Sequence, residues 1–302
     1  MSQASVPELV EGNAPVTVTT PAKRKKSADK GWSPAAVGVS GIIWLLAVLF
    51  ALPIIWFLLS SFKPGSELFR YPITLLPEQW TLSGYATAWS RFDFARYFLN
   101  TATVAVVTTL LTVIVSAATG YAFAKYKATW LKVFFVCILA TTMLPTEVIM
   151  PSTFIVIRDL GLYDKLAGII VPSIMTATGT FMFRQYFKTV PDELMEAARI
   201  DGANEFKIFW SIMLPLAKPI AITLAIFSFH WRWNDYIWPL LVLKDQKLYT
   251  LQVALRSIVG ADNIDWSVLL SASVISLIPM VIVFLVFQRY IMNADMNAGL
   301  KD

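Results

Sequence analysis

Three ionisable side chains stand in runs that are otherwise largely apolar: Glu147, Arg232 and Asp235. A charge in such a run is costly, so it marks an ion pair, a proton relay or a contact with a passing ligand. Arg232 and Asp235 are three residues apart, on one face of a helix. That spacing fits a pair closed within the chain, and equally a pair that meets a ligand. Glu147 lies between Pro145 and Pro151, near one end of its run, where it either reaches the interface or faces a path. Around the pair stand Trp231, Trp233, Asn234, Tyr236 and Trp238. Aromatic faces stack on the apolar faces of polyhydroxylated rings, while Asn and Asp bond hydroxyl groups. These residues are the candidate lining of a path. They spread around the helix, so only some can face one cavity. His230 is read as a packed histidine.

Little else supports catalysis. There is one histidine, and no His-Glu-x-x-His pair stands in the sequence. General acid–base work is therefore poorly served. Cys137 is the only cysteine, so no internal disulfide forms, and the Cys and His count excludes the common zinc sites. No Gly-x-x-x-x-Gly-Lys-Ser/Thr loop is present to cradle a nucleotide phosphate.

A second group of residues is chemically suggestive for another reason. From Pro191 the chain reads PDELMEAARIDGANEFKIFWSIMLP. Proline followed by acids suits a first helical turn. Leu194, Ala197, Ala198 and Ile200 then make a small apolar face, Gly202 fits a left-handed stop, and Asn204 can cap a second helix. Physics alone predicts a short helix–turn–helix, which serves either as a surface anchor or as a contact for another protein.

The elements that carry both groups are membrane helices. Of 302 residues, 57% are hydrophobic and 15% charged, against about a quarter charged in soluble domains. About 20 apolar residues cross a bilayer core. Six runs qualify: 37–62, 98–123, 131–150, 166–186, 209–241 and 267–290. Pro215 and Pro219 predict that the fifth is broken or tilted. Gly168, Pro172, Thr176, Thr178, Gly179 and Thr180 dilute the fourth, as close helix packing would require. Fifteen Lys and Arg lie in segments on the side of the N-terminus and nine on the other; with Arg232 they account for all 25. The bias predicts both termini cytoplasmic. The net charge of +5 is thus a topology signal, not a nucleic-acid surface. Residues 1–31, with Lys23, Arg24, Lys25 and Lys26, read as a disordered cytoplasmic tail, and 291–302 as a second tail. On the outer side, Tyr71, Trp80, Tyr85, Trp89, Tyr249 and Trp266 form an interfacial belt or a docking surface.

Glu196-Ala197-Ala198, then Asp201-Gly202-Ala203, then Ile212-Met213-Leu214-Pro215, resembles the EAA loop of ABC importer permeases. Leu144-Pro145, Leu160-Gly161-Leu162-Tyr163-Asp164, Trp233-Asn234-Asp235-Tyr236-Ile237-Trp238-Pro239 and Phe287-Gln288-Arg289-Tyr290 are similar to the maltose-type carbohydrate branch, as is the ending Gly299-Leu300-Lys301. The resemblance implies an all-α, polytopic chain of six spans, a type I importer transmembrane domain over residues 96–290, with a cytoplasmic coupling loop at 189–215. It also implies that this chain binds no cofactor and that ATP and Mg are used by a partner ATPase. The implied partners are a homologous second permease, two ATPase subunits, an extracellular or periplasmic solute-binding protein and membrane lipid. The implied location is the bacterial cytoplasmic membrane, and the implied cargo a sugar, polyol or glycerol phosphate. The alternatives are a secondary transporter, which usually shows two related halves, and a membrane scaffold; both leave the loop unexplained.

Overall fold

The computed structural model describes residues 34–91, 93–259 and 264–298, and every element among them is helical. The expected tail at 1–31 and the ending at Gly299, Leu300 and Lys301 lie outside the described residues. The chain divides into two units, residues 1–53 and 54–302. The described part of the first is the leading portion of one helix, Pro34–Ser60, which is apolar around its whole circumference. That is the pattern of a helix in lipid.

The second unit is organised about a central helix, Phe94–Lys125. One of its faces carries Thr101, Thr108, Thr112, Ser116 and Gly120 at helical spacing, and packs against two other helices, Ala177–Thr189 and Lys218–Trp233. Small side chains let the backbones approach. Between Gly120 and Phe183 the approach is so close that an added Cβ would lie 2.5 Å from the Phe183 Cβ. Three apolar clusters follow along this scaffold. One holds Tyr121, Phe183, Phe187, Met195, Ala198, Ile208 and Met213. A second surrounds Trp233 with Phe94, Leu251 and Val268. The third packs Trp238 on Ile157, Ile169 and Val242. The helix Ser83–Arg91 lies against the last long helix, Trp266–Ala298.

Three helices among the described residues are long and apolar enough to cross a membrane alone: Val37–Ser60, Phe94–Lys125 and Trp266–Gln288. Two bent pairs pass the same test jointly, which gives up to five. The expected third run divides into Thr129–Thr141 and Thr146–Asp159, at 112° to one another. The break spans Thr142 to Pro145, because a proline lacks the amide that would continue the ladder. The expected fifth run bends by 77° where Glu205–Leu216 meets Lys218–Trp233, at Ala217 between Pro215 and Pro219. It ends at Trp233, and a separate helix, Ile237–Val242, follows.

The fourth run is the clearest departure. It is not one helix but Leu166–Ile170, a 3-10 turn at Val171–Ser173 and then Ala177–Thr189. Thr176 caps the last of these, its side chain accepting from the Gly179 amide at 3.1 Å. The final helix continues to Ala298, past position 291 where the second tail was expected to begin, although its apolar stretch ends at Gln288.

Candidate functional site

A cavity of about 590 Å³ opens where the broken segments meet. Its walls come from the break after Thr141, the 3-10 turn at Pro172 and Ser173, the cap at Thr176, and the end of the Lys218–Trp233 helix. Hydroxyl-bearing residues dominate its polar lining: Thr141, Thr142, Thr146, Thr153, Ser173, Thr176 and Thr178. Arg232 and Asp235 are the two charged residues in the wall, and Trp231 and Trp238 are its aromatics. The Arg232 Nη1 donates to Asp235 Oδ2 at 3.1 Å and to Ser173 Oγ at 2.8 Å. Their side chains are 22% and 17% exposed, so the pair is largely withdrawn from solvent. Low dielectric makes each charge need its partner.

The other residues expected on a path scatter. Trp233 is 1% exposed, stacked on Phe229 with its Nε1 donating to the Ser276 carbonyl, and it does not line the cavity. It points away from Arg232 because the next helical position lies about 100° round the axis. Asn234 is exposed and bonds the His230 carbonyl at 3.0 Å; Tyr236 is half-buried; neither lines the cavity. Glu147 is exposed in the first turn of Thr146–Asp159, where a helix N-terminus favours an acid. His230 is exposed, not packed. The Thr and Ser lining was missed, although the polar dilution of the fourth run was its signal. Gly179 and Thr180 do serve close packing, but Pro172, Thr176 and Thr178 face the cavity.

The second site is the helix Glu193–Ile200 and its turn. Asp192 precedes it, and Glu193 and Glu196 lie in its first turn. At its end the Gly202 amide donates to Arg199 O at 3.0 Å and the Ala203 amide to Ala198 O at 2.9 Å. Those two bonds, with Gly202 at φ 80°, make a Schellman stop. Asn204 caps the following helix, its Oδ1 accepting from the Lys207 amide at 2.8 Å. Between the stops, Met195 and Ala198 turn inward to the Tyr121 cluster. The set Leu194, Ala197, Ala198 and Ile200 therefore does not form a single face. Ala198 alone of these is buried, at 8% exposure, whereas Leu194, Ala197 and Ile200 face outward with Glu196, Asp201 and Gly202. Ala203, Ile212 and Leu214 are half-buried against the same cluster, and Pro215 is exposed before the bend.

Polar bonds hold this helix at both ends. Lys125 Nζ donates to Asp192 Oδ1 at 2.6 Å and to the Val190 carbonyl at 2.5 Å. Its bond and charge hold the Asp192 carboxyl below the usual range. Glu205 Oε1 accepts from Arg199 Nε at 2.8 Å, and Oε2 from Tyr126 at 2.6 Å and Tyr121 at 3.1 Å. The Arg199 bond first, then Tyr126, brings the Glu205 carboxyl down to about 2. Its contribution is complete above the ordinary 4.5 and is lost only as pH falls through about 2.

A family model for the inner membrane component of binding-protein-dependent transport systems matches residues 119–293. The chain belongs to that family. Among its relatives is the arabinooligosaccharides transport system permease protein AraQ of Bacillus subtilis strain 168, 34% identical over 260 residues, which are 85% of this chain and 92% of that one. The sn-glycerol-3-phosphate transport system permease protein UgpE of Yersinia pestis is 35% identical over 257 residues, 82% of this chain and 91% of that one. A crystal structure of a bacterial ABC transporter involved in the import of the acidic polysaccharide alginate superposes with a TM-score of 0.78 and 27% identity, over 86% of this chain and 99% of that one. The fold is thus that of an ABC importer permease, and the relatives are transport permeases. The secondary-transporter and scaffold alternatives find no support among them.

Proposed function

We propose that this permease imports a sugar or a related polyhydroxylated solute, powered by ATP hydrolysed on separate ATPase subunits. The observation that carries the reading is the Glu193–Ile200 helix, stopped at Gly202 and presenting Glu196, Ala197, Ile200 and Asp201 outward. A rigid, exposed element of this kind suits docking into a cleft of another protein, and the EAA resemblance supports the ATPase as that protein. The pair Thr129–Thr141 and Thr146–Asp159 then counts as one span, Lys218–Trp233 beyond the 77° bend as another, and residues 166–189 supply the sixth. The Lys and Arg bias supports a cytoplasmic position for both termini and for the Glu193–Ile200 helix. ATP and Mg are bound by the ATPase, a homologous permease completes the membrane pair, and a solute-binding protein delivers cargo from outside.

The cavity is the proposed stretch of the path. The Thr176 and Thr178 hydroxyls can donate and accept, Thr142 and Ser173, whose protons go to the Leu139 and Ile169 carbonyls, offer acceptors, and Trp231 offers an apolar face. Arabinooligosaccharides, glycerol phosphates and acidic polysaccharide are the cargoes named for the relatives. The reading is tested by purifying the tagged permease with its genomic neighbours and reconstituting it in vesicles. Co-purification of an ATPase, and ATP-dependent uptake of arabinooligosaccharide or another sugar, are the expected results. Uptake that persists without ATP, driven by an ion gradient, would refute it.

A further inference from the structure

The two polar bonds at the ends of the Glu193–Ile200 helix lead to the same place. Lys125, at the end of the central helix, reaches Val190 and Asp192 before the helix begins. Tyr121 and Tyr126, from that same end of the central helix, reach Glu205 after it stops. Glu205 is shared: one oxygen takes the tyrosines and the other takes Arg199, on the last turn of the Glu193–Ile200 helix. Both ends of an eight-residue helix are thus tied to residues 121–126. Between the ties, Met195 fills the gap, its sulfur in contact with the Tyr121 hydroxyl oxygen at 3.4 Å. Lys125 is 4% exposed at its side chain, so its ammonium has no competing water on most sides.

A helix tied at one end pivots, but a helix tied at both ends and packed between them moves only with its support. We propose that Lys125, Tyr121, Tyr126 and Glu205 form a two-point clamp that makes the Glu193–Ile200 helix and the central membrane helix one rigid body, with Glu205 as its positioning residue. Force delivered to the short helix then turns the central helix directly, and through Gly120 and Ser116 the helices packed on it. This rests on the reading of the short helix as the ATPase contact. It goes further by naming the membrane helix that receives the motion and the four side chains that transmit it.

The test uses the complete complex with its ATPase and second permease. Spin labels go on cysteines replacing Glu193, exposed on the short helix, and Ala118, exposed on the central helix, with Cys137 changed to Ser. Their separation is measured without nucleotide and after trapping with ATP, Mg2+ and vanadate. The clamp predicts one narrow distribution that trapping does not shift. Glu205→Leu keeps bulk but offers no acceptor, and should broaden and shift the distribution on trapping. Glu205→Gln keeps an oxygen to accept from Arg199 and an amide N–H that the tyrosine oxygens can accept, and should restore the narrow distribution. Lys125→Met, which opens the other tie, should act as Glu205→Leu does, and decides the matter if that variant does not assemble. A separation that shifts on trapping in the unmodified clamp, or one equally narrow in Glu205→Leu and Lys125→Met, overturns the clamp. A complex that neither retains an ATPase nor traps nucleotide would instead refute the importer reading.

Discussion

The guanidinium of Arg232 stands 3.1 Å from the carboxylate of Asp235 while its Nη1 also reaches Ser173, so the charge in the cavity wall is closed by the wall itself. This gives the pair a structural task whatever passes beside it.

Removing one partner should therefore cost more than removing both. Arg232→Met leaves a largely withdrawn carboxylate without its charged partner, and the loss should be about 1–3 kcal/mol, below the 3–5 of a fully buried pair because the cavity admits water. The double change Arg232→Met with Asp235→Leu should recover most of it. Thermal unfolding of the solubilised protein measures this; equal midpoints for the single and double variants would contradict it.

Gly120 and Gly65 make a controlled comparison. A Cβ at Gly120 would meet the Phe183 Cβ at 2.5 Å and the Arg184 amide nitrogen at 2.8 Å, so two helices must separate. Gly120→Ala should lower stability by about 1–3 kcal/mol, the usual range for overpacking. Gly65 has nothing within 4 Å of an added Cβ, and Gly65→Ala should be close to neutral by the same unfolding measurement.

At Gly202 the space is open but the backbone is not permissive: nothing lies within 4 Å, yet φ is 80°. Gly202→Ala should cost about 1 kcal/mol, and a β-branched Val more, while Asn should be tolerated best. The readout is how much ATPase stays bound to the tagged permease. Retention in Gly202→Val equal to that in the parent would show that the stop is not needed for docking.

Much of this was legible in the sequence, and the exceptions have physical reasons. The runs at 37–62, 98–123 and 267–290 fall on long helices, since a continuous apolar stretch has few other ways to satisfy its backbone in lipid. The Gly202 and Asn204 positions were readable because their conformational demands are local. Hydropathy does not report angles, so the 112° bend after Thr141 was invisible, although Pro145 stood beside it. Nor does it tell which side of an all-apolar helix meets a neighbour. Trp231 and Trp233 look alike in sequence, yet one lines the cavity and the other is sealed beside Ser276. Ala197 and Ala198 are the same case on a smaller scale. Their difference decides how docking is tested: Ala198→Arg would wreck the permease's own cluster, whereas Ala197→Arg alters only the outward face.

The central claim is that the Glu193–Ile200 helix is where an ATPase meets this permease. Ile200, 86% exposed at the end of that helix, is the residue placed to report it. A photoreactive amino acid at position 200, irradiated in intact membranes, should cross-link to the ATPase chain, and to less of it when Glu196→Lys and Ala197→Arg are combined. Strong cross-links to an extracytoplasmic protein or to lipid alone, with none to an ATPase, would contradict the account.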